Sequence, residues 1–462
     1  MSRLAVIVLA GGQGKRMKSA IPKPLMSICG KPMIFHVLDS VELLAPERVI
    51  VVVGHGRDQV IAALAQRKVE FAVQDPPLGT GHAVQCAAPS LSHWEGDVLV
   101  TCADVPLVRT ETFQQMIQER HRQAAAGVIL TGEIKDPRGY GRIVRADDGS
   151  VVAIVEEADA SEEVRAIREV NLGVYVFESA PLFDALNRIE PANVQGEFYL
   201  TDVIAVLVAS GRRVAAYKTD DPSEAMGVND RIQLADAEAI ARGRVRQRLM
   251  LDGVTIVHPD STFIDDDVYI GRDTVILPGT HIYGRSHIGS GCTIGPNAYI
   301  QSSSIGDSTS VLVGAVIRDS EVGSGCTIGP YCHIRDSSRI HDNVRVGSYT
   351  EIVRTQLFSG TRALHFSYLG DATVGPDANI GAGVVTCNYD GRQKHRTVIE
   401  SGAFVGSDAI LVAPVTIGKG AYVAAGSVIT EDVPAGALAI ARERQSVKEG
   451  WVQRRFLDRG QE

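Results

Sequence analysis

The sequence predicts two architectures in one chain: an N-terminal α/β domain with a doubly wound, mostly parallel sheet, then a parallel β-helix of hexapeptide repeats. Three observations carry this. Apolar, strand-like runs alternate with helical stretches through the first half. From Ile264 onward an aliphatic residue recurs at every sixth position. The 462 residues hold 46 glycines and only 5% aromatics, and many of those glycines directly follow the hexad positions. A chain of this length exceeds one ordinary core, so more than one domain is expected.

Taking the elements in order, residues 3–10 (RLAVIVLA), 48–53, 97–101, 127–131, 151–155 and 171–177 read as buried strands. Helical stretches at 111–126, 180–189 and 199–210 alternate with them. Ligands of such sheets gather beyond the carboxyl ends of the strands. The expected domains are 1–230, a polar helical joint over 231–252, the β-helix over 253–441, and a tail over 442–462. The joint's arginines at 242, 244, 246 and 248 read as a solvated helix surface.

The hexad runs from Ile264 to Ile300 in unbroken steps of six. It resumes one residue early at Ile305, and again at Val322, Leu357 and Val374, before a last stretch from Val405 to Ile429. Neither a 3.6 nor a 2.0 period produces six. Short strands that each send one aliphatic side chain inward, joined by tight corners, do. Stacked coils then bury a column that no single coil can bury alone. Between Ile380 and Val405 the register breaks, and 381–397 (GAGVVTCNYDGRQKHRT) reads as an extruded loop. The repeat resembles the left-handed parallel β-helix of the hexapeptide acyltransferases. That resemblance implies the left hand, a homotrimer, and acyl-coenzyme A sites between neighbouring prisms.

The first strand runs into LAGGQGKRMKSAIPKPL, residues 9–25. A glycine turn after a strand offers backbone N–H groups to phosphate. The segment fails the Walker A pattern, and Met17 stands where a dinucleotide fingerprint requires glycine. What remains is Gly11, Gly12 and Gly14 with Arg16 and Lys23 close behind, a turn and two cations suited to a triphosphate. The segment resembles the sugar-nucleotidyltransferase signature. With the hexapeptide half, in this order, the chain resembles the bacterial bifunctional UDP-N-acetylglucosamine pyrophosphorylases / glucosamine-1-phosphate N-acetyltransferases over nearly its whole length.

The resemblance implies two sites. In the first, a sugar 1-phosphate attacks the α-phosphorus of UTP and expels pyrophosphate, so charge neutralisation and alignment matter more than base chemistry. Arg16 and Lys23 match the family's catalytic cations. Asp104 and Asn229 match its Mg2+ ligands. Leu9, Ala10, Gly11, Gly12, Gln74, Gly79 and Thr80 match the nucleotide-binding segment, and Gly141, Glu156 and Asn171 the sugar pocket. His82 reads as structural. The chain departs from the family at Cys102-Ala103-Asp104, usually YGD, and at Asn171-Leu172-Gly173, usually NTG.

In the second site, an imidazole matching His365 takes a proton from the sugar amine as it attacks the thioester. Arg335, Tyr368, Asn379 and Lys394 match sugar-phosphate contacts. Asn388 and Tyr389 match sugar and phosphate contacts and are also expected in the acetyl-CoA site. Ala382, Ser407, Ala425 and Arg442 match acetyl-CoA contacts. Departures here are Arg335 followed by Asp-Ser rather than Pro-Gly, Val353 for a lysine, and Leu364 for a glycine. They leave open an alternative in which the chain is a nucleotidyltransferase only, its β-helix serving trimerisation or regulation. A histidine-held zinc site in the prism is a third reading, and His333, His341 and His365 lack the close spacing for it.

Composition limits the function classes. The net charge of −9 disfavours nucleic acid and anionic membranes as partners. The longest apolar run, 203–209, is far short of a span. Seven cysteines without a CxxC pair indicate reduced thiols, and the apolar start leads into GGQGKRMK rather than a cleavage pattern. A cytoplasmic enzyme taking UTP, sugar 1-phosphate and acetyl-CoA is expected.

Overall fold

A computed structural model describes residues 3–457. The end of the expected tail, 458–462, lies outside the described residues. The chain divides at Arg242/Gly243 into two compact units.

In the first unit the strands of the main sheet are β1 (Leu4–Ala10), β2 (Arg48–Val53), β3 (Glu70–Val73), β4 (Asp97–Cys102), β5 (Gly127–Glu133), β6 (Arg142–Arg145), β7 (Val151–Val155), β8 (Glu169–Glu178) and β9 (Val214–Lys218). The sheet order is β9-β5-β8-β4-β1-β2-β3, and β6 extends it by pairing with β8 and β7. Neighbours are parallel except β8, which runs against both β4 and β5, and the β6–β7 hairpin. The sheet is therefore mostly parallel, as the alternating pattern predicts. The short strands β3, β6 and β9, with few consecutive apolar residues, are missed by that pattern.

Apolar side chains line both faces because β1, β2 and β4 are buried on each side. Helices α1 (Met33–Glu42), α2 (Arg57–Ala63) and α4 (Thr110–Gln123) pack one face through Ile34, Leu38, Val60 and Phe113. Helices α3 (Thr80–Ala87), α5 (Ser179–Leu186) and α6 (Asp202–Ala209) cover the other through Val84, Leu182, Val203 and Leu207. Helix α7 (Arg231–Leu251) carries the chain across the division between the units. Its arginines are not an idle solvated surface. Arg242 pairs with Glu238, Arg246 donates to the Pro259 carbonyl, and Arg248 donates to the Asp266 carbonyl at 2.9 Å.

The second unit is a parallel β-helix. Every hexad position from Ile264 to Ile429 enters one apolar column. Three inward rows run along it: Ile264, Ile282, Ile300, Ile317, Ile334, Ile352 and Leu369; Ile270 to Ile417; and Ile276 to Val423. Each early resumption of the hexad falls at one corner, between the first row and the second. There Ser302, Asp319, Arg354 and Asp371 adopt left-handed backbone, with φ of 46–50°. The step from the first row to the second is five residues at these four corners and six at Ile282–Ile288 and Ile334–Ile340, so these coils have 17 residues rather than 18.

The register break is narrower than expected. Residues 381–387 complete an ordinary coil, and Ile399 pairs back into the second row. Only 388–396 is extruded. The break looked longer because Thr386 fills an inward position where an aliphatic is expected. It is fully buried, and its hydroxyl accepts from Gly370 N at 2.8 Å and donates to Gly370 O at 3.1 Å. Thr386→Val, which restores the aliphatic pattern, leaves the Gly370 N–H without its acceptor. It is expected to cost about 1–3 kcal/mol, read as a lower urea midpoint for loss of the β signal.

Candidate functional site

Parallel β1 and β4 deliver their carboxyl ends side by side, with Leu9 opposite Cys102. The glycine turn leaves from β1 and the Asp104 loop from β4. Between them lies a cleft of about 600 Å³ whose lining includes Leu9, Gly11, Gly12, Arg16, Lys23, Gln74, Gly79, Thr80, Asp104 and Asn229. Ala10 is the buried last residue of β1 and stands behind the turn.

Lys23 is the hub. Its ammonium bonds Asp104 Oδ2 and, at 2.8 Å, Asn229 Oδ1. Asp104 is fixed from behind by its own carbonyl, which accepts from Val228 N at 2.8 Å, and Asn229 N donates to Gln233 Oε1 at 2.7 Å. Two hard side-chain oxygens on separate segments thus face one cation position. That donor set fits a divalent ion such as magnesium. Gly14, at φ 58°, lets the Lys23 stem pass: a β-carbon there would stand 2.8 Å from Lys23 Cβ. Arg16 is exposed at the rim.

The opposite wall is Gln74 and the turn into α3. Gln74 is buried and donates to Gly79 O at 2.8 Å, its amide also 3.3 Å from His82 Nδ1. His82 in turn meets Cys86, so it supports the wall rather than facing the cleft. At Gly79, φ 110°, a β-carbon would lie 2.5 Å from the Phe198 carbonyl. Thr80 Oγ1 accepts from Leu200 N at 3.0 Å.

Gly141, Glu156 and Asn171 come together beyond the hairpin. Asn171 N donates to Gly141 O at 2.8 Å, and a β-carbon on Gly141 would be 3.4 Å from the Glu156 carboxylate. Two further residues hold this group and escape a motif reading. Tyr175 takes a 2.7 Å bond from the Asn171 amide, and Thr201 donates to Glu156 at 3.1 Å. Tyr175 sits four residues past Asn171, across the strand irregularity that Gly173 produces, and no local pattern marks it. Cys102, at the mouth of this group, has its thiol pushed far up by burial and, secondarily, by Asp104.

In the β-helix, Ala382, Ser407 and Ala425 stack at one corner on successive coils. Asp408 N donates to Ala382 O, Gly426 N to Ser407 O, and Arg442 Nη1 reaches Ala425 O at 2.9 Å. Arg335, Tyr368 and Asn388 lie on a different part of the prism. Glu351 pairs in register with Tyr368 and bonds Arg335, while Asn388 donates to Asp371 Oδ2 at 2.5 Å. Tyr389 and Lys394 face each other across the neck of the 388–396 loop. His365 is exposed and pairs in register with Ser348. Asn379 belongs to another row, between Arg362 and Phe404, so the structure does not draw it into the Arg335 group. Among the described residues, no three His, Cys, Asp or Glu side chains gather as a metal-binding group.

Known proteins place this chain. The MobA-like NTP transferase domain matches residues 6–192, the GMPPB C-terminal domain residues 261–348, and the bacterial transferase hexapeptide residues 396–431. The bifunctional protein GlmU of Geobacillus sp. strain WCH70 is 50% identical over 98% of both chains. The chain belongs to the GlmU family. GlmU of Geobacillus thermodenitrificans is 49% identical over 98% of both chains, and that of Halalkalibacterium halodurans 47% over 98% of this chain and 99% of its own. As a GlmU-family chain it carries the left-handed form of the hexapeptide prism. No helix among the described residues is long and apolar enough to cross a membrane.

The Glu156 carboxyl is held above the usual carboxylate range, first by burial and then by Asp202 and Asp159, against the Thr201 hydroxyl. The folded protein therefore holds this proton more tightly than the unfolded chain. The charged form costs stability above the raised pKa, and that cost fades as pH falls through it. Glu156→Gln is expected to raise the thermal midpoint at neutral pH, with the gain shrinking on acidification. A pH series of melting curves on both proteins checks this.

Proposed function

We propose that the chain makes UDP-N-acetylglucosamine in two steps, one on each unit. Glucosamine 1-phosphate is N-acetylated from acetyl-CoA. N-acetylglucosamine 1-phosphate then takes the uridyl group of UTP and pyrophosphate leaves. Membership of the GlmU family supports both activities over a chain whose prism only trimerises. The observation that carries the assignment of the first site is the convergence of Lys23, Asp104 and Asn229 on one point at the ends of β1 and β4.

In this reading residues 1–230 perform uridyl transfer, 231–252 join, 253–441 perform acetyl transfer, and 442–462 are a tail that begins with Arg442, an acetyl-CoA contact. The glycine turn 11–14 accepts the triphosphate on its backbone, and Arg16 and Lys23 neutralise it. Gln74 and Gly79 read the pyrimidine edge. Magnesium, held by Asp104 and Asn229, supplies the remaining charge neutralisation when bound. Gly141, Glu156 and Asn171 fix the sugar so that its phosphate, already an anion, lies in line with the α-phosphorus.

At the second site, His365 takes a proton from the amine nitrogen as it attacks the thioester carbonyl, and coenzyme A leaves as the C–S bond breaks. Arg335, Tyr368, Asn388, Tyr389 and Lys394 hold the sugar phosphate. The corner of Ala382, Ser407 and Ala425 lets the cofactor lie close to backbone. Hexapeptide prisms are typically trimeric, and a homotrimer would seat acetyl-CoA between two copies. The substrates and free thiols fit a cytoplasmic enzyme.

Separate assays test this. Asp104→Ala is expected to reduce magnesium-dependent pyrophosphate release by at least about 10²-fold, while coenzyme A release with glucosamine 1-phosphate continues. His365→Ala is expected to give the opposite pattern. Pyrophosphate release that survives in Asp104→Ala would refute the metal assignment.

A further inference from the structure

One corner of the prism carries a charge ladder. Arg335 donates through Nε and Nη2 to Glu351 Oε1, at 3.0 and 2.9 Å. Arg354, one coil on, grips Asp371 with both prongs: Nε to Oδ1 at 2.7 Å and Nη2 to Oδ2 at 3.0 Å. Each guanidinium thus has one edge fixed by a carboxylate of its own. Each also has Nη1 left over, and both of these meet a single atom. Asp336 Oδ2 accepts from Arg335 Nη1 at 2.6 Å and from Arg354 Nη1 at 3.3 Å.

Asp336 is the one carboxylate the two arginines share. Its side chain is 43% exposed, against 37% for Glu351 and 19% for Asp371. It stands on left-handed backbone at φ 57°, at the corner where the first hexad row turns into the second. Arg354 occupies the same corner at φ 48°. The surroundings are those expected of a sugar-phosphate site. Asn388 bonds Asp371, and the charge of Lys394 helps hold the Asp371 carboxyl below its usual range, after the larger effect of Arg354. Two pinned arginines sharing one exposed oxygen form an anion site already filled by the chain's own carboxylate.

We propose that Asp336 is a resident competitor for the substrate phosphate, and that Arg354 is a specificity-determining cation of the acetylation site. A phosphate monoester carries more charge than a carboxylate and offers more acceptor oxygens, so it displaces Asp336 from the paired Nη1 groups without disturbing the fixed edges. Exposed ion pairs are weak, and the aspartate yields readily. Asp336 thereby sets how much sugar phosphate is needed to fill the site. This rests on the acetyl-transfer reading above.

The test compares the full-length parent, Asp336→Asn and Arg354→Gln in coenzyme A release with glucosamine 1-phosphate as the varied substrate. Asparagine tolerates left-handed backbone, which keeps the corner intact. Pyrophosphate release from the other unit serves as the measure of folded protein. Asp336→Asn should lower KM for glucosamine 1-phosphate by about two- to fivefold, the size of one exposed ion pair. It should lower the inhibition constant of inorganic phosphate by a similar factor. Arg354→Gln should raise KM. An unchanged or higher KM in Asp336→Asn overturns the proposal, as does an unchanged KM in Arg354→Gln. Absence of acetyl transfer in the parent would instead refute the reading on which it rests. Should Asp336→Asn lose both activities through misfolding, the same KM comparison with Asp336→Gly decides.

Discussion

Parallel strand pairing in register is the constraint on which both units depend. It sends the chain in one direction through neighbouring strands, so equivalent points of successive strands arrive at the same edge. In the first unit this puts the ends of β1 and β4 side by side and makes Lys23 and Asp104, 81 residues apart, immediate neighbours. In the second, an inward aliphatic residue every sixth position fixes the height of every outward one. Ala382, Ser407 and Ala425 form a line for that reason, with no contact among them needed to create it.

The two sites use this constraint differently. The cleft of the first unit draws on segments of different character: a glycine turn, a buried amide, and a loop anchored by Val228 N. Its charges are few and shared, and Lys23 balances Asp104. The prism has only one kind of segment to offer, and variety enters through its corners. The left-handed residues at one corner present polar side chains at intervals of 17 or 18 residues. In this chain they form an alternating row of Asp336, Arg354 and Asp371.

Much of this was legible in the sequence, and unevenly so. The aliphatic column needed only residue type and spacing, so every hexad position was placed correctly. Thr386 was not, because a buried hydroxyl bonded to backbone looks like a surface residue in a list of letters. The extent of the extruded loop was overestimated for the same reason. In the sheet, long apolar strands were plain, while β3, β6 and β9 were too short or too mixed to register. The reversed direction of β8 depends on tertiary pairing and leaves no local mark. Lys23 and Asn229 are 206 residues apart, and only the resemblance to known motifs suggested that they act together. Tyr175 and Thr201, which hold Asn171 and Glu156 in place, had no motif to announce them.

The shortened coils have a further consequence for how such a chain can change over time. Because one corner accepts a step of either five or six residues between the first row and the second, a single-residue deletion or insertion there is absorbed within the turn. The buried rows on either side keep their register. The prism can therefore gain or lose residues along one edge while its interior stays the same, and the chemistry carried on that edge is free to diverge between relatives that share an identical core.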